Sequence, residues 1–251
     1  MKIILTRGAK KYLKRRMEYN EKLILEELHS LLKPYEEKLP KDFKIVIKED
    51  DIPNGQFRTP KKIIITSRHV LNYFKTHAKL FMGERILETI GHEIGHGKAY
   101  IGIPMFFVSK SLNEKLASKK EKFKYRLVET FCDNYSVKFT GLTREEHSYI
   151  LYEHIFEDKN PKTDFLHPTW QDRSTYVLKP FNENLIRQVA KDNGFTNEKE
   201  IQKQIDYYNK VLENDGFIKK TAILKTGFNF ILSSILILTI IFGLCFLIKF
   251  I

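Results

Sequence analysis

Two spacings of apolar residues recur along the chain and separate predicted helices from predicted strands. Apolar residues three and four positions apart, together with capping residues such as Ser67, Thr143 and Asn197, predict helices. The predicted helices cover residues 9–34, 67–74, 86–96, 126–137, 143–157 and 197–214. Alternation and β-branched residues predict strands over 43–48 and 61–66, with a turn at 51–55. The pattern therefore predicts an α+β fold that is mainly helical and contains a small β-sheet.

The C-terminal tail is the clearest break in this pattern. Residues 230–248 form an uninterrupted run of apolar or uncharged residues. As a helix, this run spans roughly 28 Å at about 1.5 Å per residue, close to the bilayer's hydrocarbon core of about 30 Å. The run therefore predicts one C-terminal transmembrane helix that anchors the chain in a lipid bilayer.

Lysines flank this run unequally and predict its orientation. Three lysines precede the run and one follows it (Lys219, Lys220, Lys225, Lys249). The positive-inside rule then places residues 1–226 in the cytoplasm. The predicted organisation is an N-terminal helical segment at 1–42, a main domain at 43–226 and the membrane anchor at 227–251.

Charge and cysteine content narrow the classes of partner. The formal net charge of +12 suits an anionic membrane surface or simple solubility, and no motif of a nucleic-acid-binding module accompanies it. Nucleic acid is therefore not an expected partner. Cys132 lies in the main domain and Cys245 in the apolar tail, so no disulfide is predicted.

Residues 103–126, an apolar stretch followed by cations, suit a membrane surface and a solvated helix–loop segment equally well.

The candidate chemistry centres on a His-Glu-x-x-His motif at residues 92–96. On a helix, His92 and His96 lie one turn apart on the same face, where both imidazoles can bind one Zn²⁺. Glu93 lies between them in sequence and can act as general base on a water that the metal activates. The motif predicts a zinc site, although a chance match on a core helix would have the same sequence.

The next predicted core helix offers the remaining groups of such a site. A catalytic zinc usually has three protein ligands and one open position, and Glu129 can supply the third ligand. Asp133 follows one turn later and can accept the outer N–H of a ligating histidine. Without the histidine pair, Glu129 and Asp133 would suit the polar face of an ordinary amphipathic helix.

A sheet edge beside the zinc helix holds the substrate as an added strand in zinc peptidases of this build. Residues 62–66 are the candidate edge because they form a strand that precedes the motif helix. An interior strand would have the same sequence, so the residues alone leave both positions open.

Three motifs together resemble the gluzincin metallopeptidases, and within them the family of HtpX and the type 1 CAAX prenyl proteases. Residues 91–96 are similar to that family's H-E-(L/I)-G-H helix. Residues 129–133 are similar to its E-x-x-A-D helix, with cysteine in place of alanine. Residues 167–173 are similar to its H-P-x-x-x-x-R motif, and the whole resemblance covers roughly residues 43–180.

The resemblance implies a zincin-like metallopeptidase domain that is associated with a membrane. It implies Glu129 as the third zinc ligand and Asp133 as the residue that holds a ligating histidine. It also implies that His167 and Arg173 lie near the oxyanion of the substrate. These roles are expectations that come from the family and not from the spacing of the residues.

The chain also departs from that family. Its members carry several membrane spans where one is predicted here, so CAAX processing itself is not expected. The short segment between His96 and Glu129 also resembles the ImmA/IrrE-type regulatory metallopeptidases, which do not account for His167 and Arg173 as well. The resulting hypothesis is a membrane-anchored zinc endopeptidase with one Zn²⁺ per chain and a protein or peptide substrate. The alternatives are an ImmA/IrrE-type peptidase and a tail-anchored, non-catalytic scaffold with a vestigial zinc site.

Overall fold

The computed structural model describes residues 1–52, 54–59, 61–75, 82–99, 118–157 and 167–213. The strands are β1 Lys2–Leu5, β2 Lys44–Lys48, β3 Gly55–Thr59 and β4 Lys62–Thr66. The helices are α1 Arg7–Arg16, α2 Glu21–Leu32, α3 Ser67–Lys75, α4 Met82–Lys98, α5 Lys119–Thr140, α6 Arg144–Glu157, α7 Trp170–Val177, α8 Glu183–Asp192 and α9 Glu198–Glu213. A 3₁₀ helix, Lys33–Lys38, follows α2. The prediction of a mainly helical α+β fold with a small sheet is confirmed.

The sheet has the strand order β1-β2-β4-β3, in which β1, β2 and β4 run parallel and β3 runs antiparallel to β4. Ile45 pairs with Ile63 and Ile47 pairs with Ile65. All four side chains are buried, because alternate residues of a strand point to the same face. This face joins residues of α1 to α4 in the first of two hydrophobic cores.

The N-terminal region differs from the single helix predicted over residues 9–34. That prediction is wrong because α1 ends at Arg16 and a new helix begins after Asn20, whose side chain accepts the N–H of Leu23 at 3.2 Å. The strand β1 was not predicted either. It pairs with β2 and contributes Ile3 to the first core, so the N-terminal segment shares its sheet and core with the residues that follow.

The exposed edge of the sheet is not the strand that the sequence indicated. The prediction for residues 62–66 is wrong, because β4 lies between β2 and β3 and is therefore an interior strand. The edge beside it is β3, which begins at Gly55, the last residue of the predicted turn. Thr66 donates its N–H to the carbonyl of Asn54 at 3.0 Å, which extends the pairing of the two strands at the end opposite their connection.

The two longest described helices, α4 and α5, pack directly against each other. Two glycines of α4 make this possible: a Cβ on Gly91 would lie 2.6 Å from Oγ of Ser136, and one on Gly95 would lie 2.8 Å from Cα of Cys132. The Ser136 hydroxyl donates to the carbonyl of Glu88 at 2.8 Å and ties the helices together. The opposite side of α5 joins α8 and α9 in the second core.

The other predicted helices are confirmed, with shifted ends. A capping box formed by Ser118 and Glu121 begins α5 well before its predicted start, and Gly141 ends it in a left-handed conformation with φ +75°. Thr143 and Glu146 cap the start of α6 as predicted. The helix α8 was not predicted from the sequence. No helix of the described residues is long and apolar enough to cross a membrane, and the span predicted at 230–248 lies outside them.

We expect Gly95→Ala to destabilise the protein, although alanine is the better helix former by about 1 kcal/mol. The new methyl group would collide with the backbone of Cys132, and overpacking of this kind costs about 1–3 kcal/mol. Gly8→Ala in α1 is the matched control, because its methyl group would meet only side-chain atoms of the exposed Glu49, chiefly its movable carboxylate, and no backbone atom. Chemical denaturation should give a lower free energy of unfolding for Gly95→Ala than for Gly8→Ala, and equal values would contradict the tight crossing.

Candidate metal centre

The helix α4 carries both motif histidines on the face that packs against α5. His92 and Glu93 are each 7% exposed, and the ring centroids of His92 and His96 are 4.9 Å apart. Burial lowers the pKa of His96, which favours the neutral imidazole that a metal requires. The predicted spacing of the two histidines therefore places both rings at one site.

Glu129 reaches the same site from α5. Its Oε2 lies 3.2 Å from Nε2 of His92, and its Oε1 lies 3.6 Å from Nε2 of His96. Burial would raise the pKa of Glu129, but the charges of His167 and His96 outweigh it and hold the pKa well below the ordinary value. The third predicted ligand is thus an ionised carboxylate beside both imidazoles.

Asp133 holds the other side of the His92 ring. Its Oδ1 lies 2.8 Å from Nδ1 of His92 and 2.5 Å from Nη2 of Arg173, and Nε of Arg173 donates to Oδ2 at 2.9 Å. Burial would raise the pKa of Asp133, but the guanidinium of Arg173 outweighs it and lowers the pKa, so the carboxylate is ionised and only accepts hydrogen bonds. The proton of a neutral His92 therefore sits on Nδ1, and Nε2 carries the lone pair that faces Glu129.

This arrangement tests whether the residues fit a metal ion. Without a metal, a proton on Nε2 of His92 lies between that nitrogen and Oε2 of Glu129, which are 3.2 Å apart, and a metal ion would take the place of this proton. Oε2 of Glu129 is buried and has no hydrogen-bond partner among the described residues. Burial alone would lower the pKa of His92, but its hydrogen bond to Asp133 outweighs burial and the pKa is raised well above the ordinary value. The site attracts a cation between these atoms, and a divalent metal ion fits that requirement.

Arg173 lies behind the predicted metal ligands and not at an open position beside them. It is 6% exposed, makes two hydrogen bonds to Asp133, and stacks 4.3 Å from the ring centroid of Trp170. A capping box of Thr169 and Asp172 begins α7 and sets this orientation. These contacts orient Asp133 and, through it, His92, whose Nδ1 also lies 3.2 Å from Nη2 of Arg173. The expected role of Arg173 near the oxyanion stays a prediction.

His167 lies on the solvent side of the site. Its Nε2 is 3.6 Å from Oε2 of Glu129, and its side chain is 42% exposed. The ring can therefore face both the predicted metal ligands and a molecule that enters from solvent. The structure brings His167 to the site as the resemblance implied, and leaves its role as a prediction.

The edge strand β3 crosses over the predicted general base. The N–H of Phe57 donates to Oε2 of Glu93, so this backbone group is not used in pairing with β4. A Cβ on Gly55 would lie 2.6 Å from Thr89 and 2.8 Å from Glu93, so glycine is what allows β3 to lie this close to α4. Neither contact was predicted, because residues 51–55 indicated only a turn.

Cys132 and Glu88 also lie within reach of the motif histidines and were not predicted as site residues. One ligand atom each from His92, His96 and Cys132 lie within 4.8 Å of one another, and the same holds for Glu88, His92 and Asp133. The described residues thus contain a possible metal-binding cluster. The one-turn spacing of Glu88 before His92 on the α4 face was a usable signal in the sequence. Arg173 already neutralises Asp133, so the group that contains His96 suits a divalent cation better.

Comparisons with known proteins do not place the chain in a family. No protein-family model, curated protein or solved structure matches it.

Proposed function

We propose that the protein is a zinc peptidase of the zincin-like kind. The observation that carries this proposal is the convergence of His92, His96 and Glu129 around a buried carboxylate oxygen that has no hydrogen-bond partner among the described residues. Two imidazoles and one carboxylate are the ligand set of several catalytic zinc sites, which leave a fourth position open. A non-catalytic scaffold with a structural zinc site would need no general base, yet Glu93 lies next to His92 on the same helix.

The reaction needs an activated water, a general base and a way to neutralise charge. A bound Zn²⁺ supplies Lewis-acid activation of the water and of the scissile carbonyl. Glu93 takes a proton from the attacking water and returns it to the leaving amine. Asp133 and Arg173 hold His92 in the tautomer that keeps Nε2 free for the metal.

The edge strand β3 gives the substrate a place to bind. An extended peptide can add to an open strand through main-chain hydrogen bonds, and β3 is the edge that lies against α4. A peptide in this position passes directly over Glu93 and the ligand face of α4. This proposal transfers the substrate-binding role from residues 62–66 to residues 55–59.

His167 completes the site on its solvent side. Its partly exposed ring can donate a hydrogen bond to the oxygen that becomes negative in the transition state, and one donor of this kind is worth about 2.7–4 kcal/mol. Arg173 does not share this role, because its guanidinium is buried against Asp133.

We expect the purified protein to bind one zinc ion per chain and His92→Ala to abolish stoichiometric binding. The variant removes one predicted ligand and leaves Asp133 without its imidazole partner. Elemental analysis after dialysis measures the zinc content directly. His29→Ala is the control, because His29 is exposed on α2. Unchanged zinc content in His92→Ala would remove the metal centre from the proposal.

We also propose that residues 230–248 anchor the protein in a membrane. The full chain should then stay with the membrane fraction after alkaline carbonate extraction, and a chain that ends at residue 226 should be released. The full chain with both Leu236→Arg and Ile240→Arg should also be released, since each arginine costs about 2.5–3.5 kcal/mol at the centre of a span. Release of the unmodified full chain by carbonate would contradict the anchor.

A further inference from the structure

The proposed reaction makes no use of Cys132, although this thiol lies within the metal centre. Cys132 is fully buried on α5 between Glu129 and Asp133. Its Cα is the atom that a Cβ on Gly95 would meet at 2.8 Å, so no side chain of α4 separates the two helices there. One ligand atom each of Cys132, His92 and His96 fall within 4.8 Å of one another.

The unsatisfied oxygen of Glu129 points to a ligand at the same place. Glu129 is 6% exposed, and its Oε2 has no hydrogen-bond partner among the described residues while it faces the imidazoles. Glu129 and Cys132 thus each lie beside the two imidazoles, so two nitrogens, a carboxylate oxygen and a sulfur are the candidate donors. Ligand atoms of a tetrahedral zinc site lie roughly 3.5 Å apart, given bond lengths of about 2.0–2.3 Å. The ligand atoms of Cys132, His92 and His96 lie within 4.8 Å of one another, so a small movement of the side chains would bring the sulfur into such a set.

We propose that Cys132 is a fourth protein ligand that closes the metal centre. This inference rests on the proposed zinc site and adds a resting state to it. In that state the thiolate occupies the position that the attacking water needs, and sites with four protein ligands lack the open position of catalytic ones. When the sulfur–metal bond forms, the thiol proton leaves to water. When the site opens, water replaces the sulfur and the thiolate takes up a proton again.

The chemistry of the group favours soft or borderline metal ions. Thiolate ligands favour soft or borderline ions such as zinc over hard ions, which prefer oxygen ligands. A cysteine that only filled space would make no such selection, and buried cysteines often serve as small apolar side chains. The sulfur–metal bond is therefore the property that separates the two roles of Cys132.

Cobalt substitution of the full chain in detergent micelles measures that bond without reference to activity. Co²⁺ bound to a thiolate gives a sulfur-to-metal charge-transfer band in the near ultraviolet, which nitrogen and oxygen ligands do not give. We expect the band in the wild type and its loss in Cys132→Ser, with cobalt still bound on the remaining ligands. Cys245→Ser is the control for the only other cysteine of the chain, and it should keep the band.

The outcomes separate this inference from the zinc site on which it rests. Stoichiometric cobalt without the band in the wild type, or a band that survives in Cys132→Ser, would overturn the role of Cys132 and leave the metal centre intact. A wild type that binds no cobalt would overturn the metal centre itself and the fourth ligand with it. Cadmium-113 NMR of the wild type gives the same decision independently of how the variants fold, because a sulfur ligand moves the cadmium resonance strongly downfield.

Discussion

Glu93→Gln should keep zinc and the fold but lose peptide hydrolysis by about 10²–10⁴-fold, the usual contribution of a general base. The amide has nearly the volume of the carboxylate and cannot take the proton of the attacking water. Its oxygen can still accept the N–H of Phe57, so the contact between α4 and the edge strand survives. Turnover of casein or a peptide library, measured beside zinc content, tests the expectation.

Glu84→Gln is the matched control for this variant, since it makes the same change near the start of α4. It should retain both zinc and turnover. Activity of Glu93→Gln within tenfold of the wild type would show that Glu93 is not the base. The inactive variant also has a practical use: it can retain a bound substrate on β3 long enough for crosslinking and identification.

Much of the helical framework follows from local signals in the sequence. Thr143 with Glu146 and Gly141 mark helix ends by satisfying backbone groups within a few residues, so they work without tertiary context. The His-Glu-x-x-His spacing likewise needs no tertiary context to place His92 and His96 on one face of α4. These residues were predictable because one turn of helix is enough to determine where they point.

The strands that define the site were not predictable in this way. β3 has the sequence Gly-Gln-Phe-Arg-Thr, with a single large apolar residue, because an exposed edge strand needs little hydrophobic surface. Its identity as a strand comes from pairing with β4, which supplies the β-branched residues. The interior position of β4 likewise depends on β2 and β3 and not on residues 62–66 themselves.

The placement of Arg173 depends on tertiary structure as well. The motif at residues 167–173 leaves open whether Arg173 faces substrate, solvent or protein. Docking of α7 onto α5 directs it at Asp133, and stacking on Trp170 holds it there. The role near the oxyanion that the resemblance implied stays a prediction, and the buried ion pair adds a second expectation, on stability and zinc affinity.

Arg173→Ala should destabilise the protein by about 3–5 kcal/mol, the usual cost of removing one partner of a buried ion pair. Asp133 is 1% exposed and would lose its charge partner without gaining water. Zinc affinity should fall by about 10–100-fold, because Asp133 would no longer be held in position behind His92. Denaturant unfolding of the metal-free protein and zinc titration measure the two effects separately.

Two further variants separate this role from a catalytic one. Arg187→Ala removes an arginine from an exposed ion pair with Glu183 and Glu198, so it should change stability and zinc affinity little. Combining Arg173→Ala with Asp133→Asn removes the stranded charge and should recover part of the lost stability, a coupling expected only of groups that interact directly. An Arg173→Ala variant with normal stability and zinc affinity but a hundredfold lower kcat would instead restore the oxyanion role. The buried bidentate contact favours the first result, because the guanidinium already neutralises Asp133 and both of its hydrogen bonds to that carboxylate are buried.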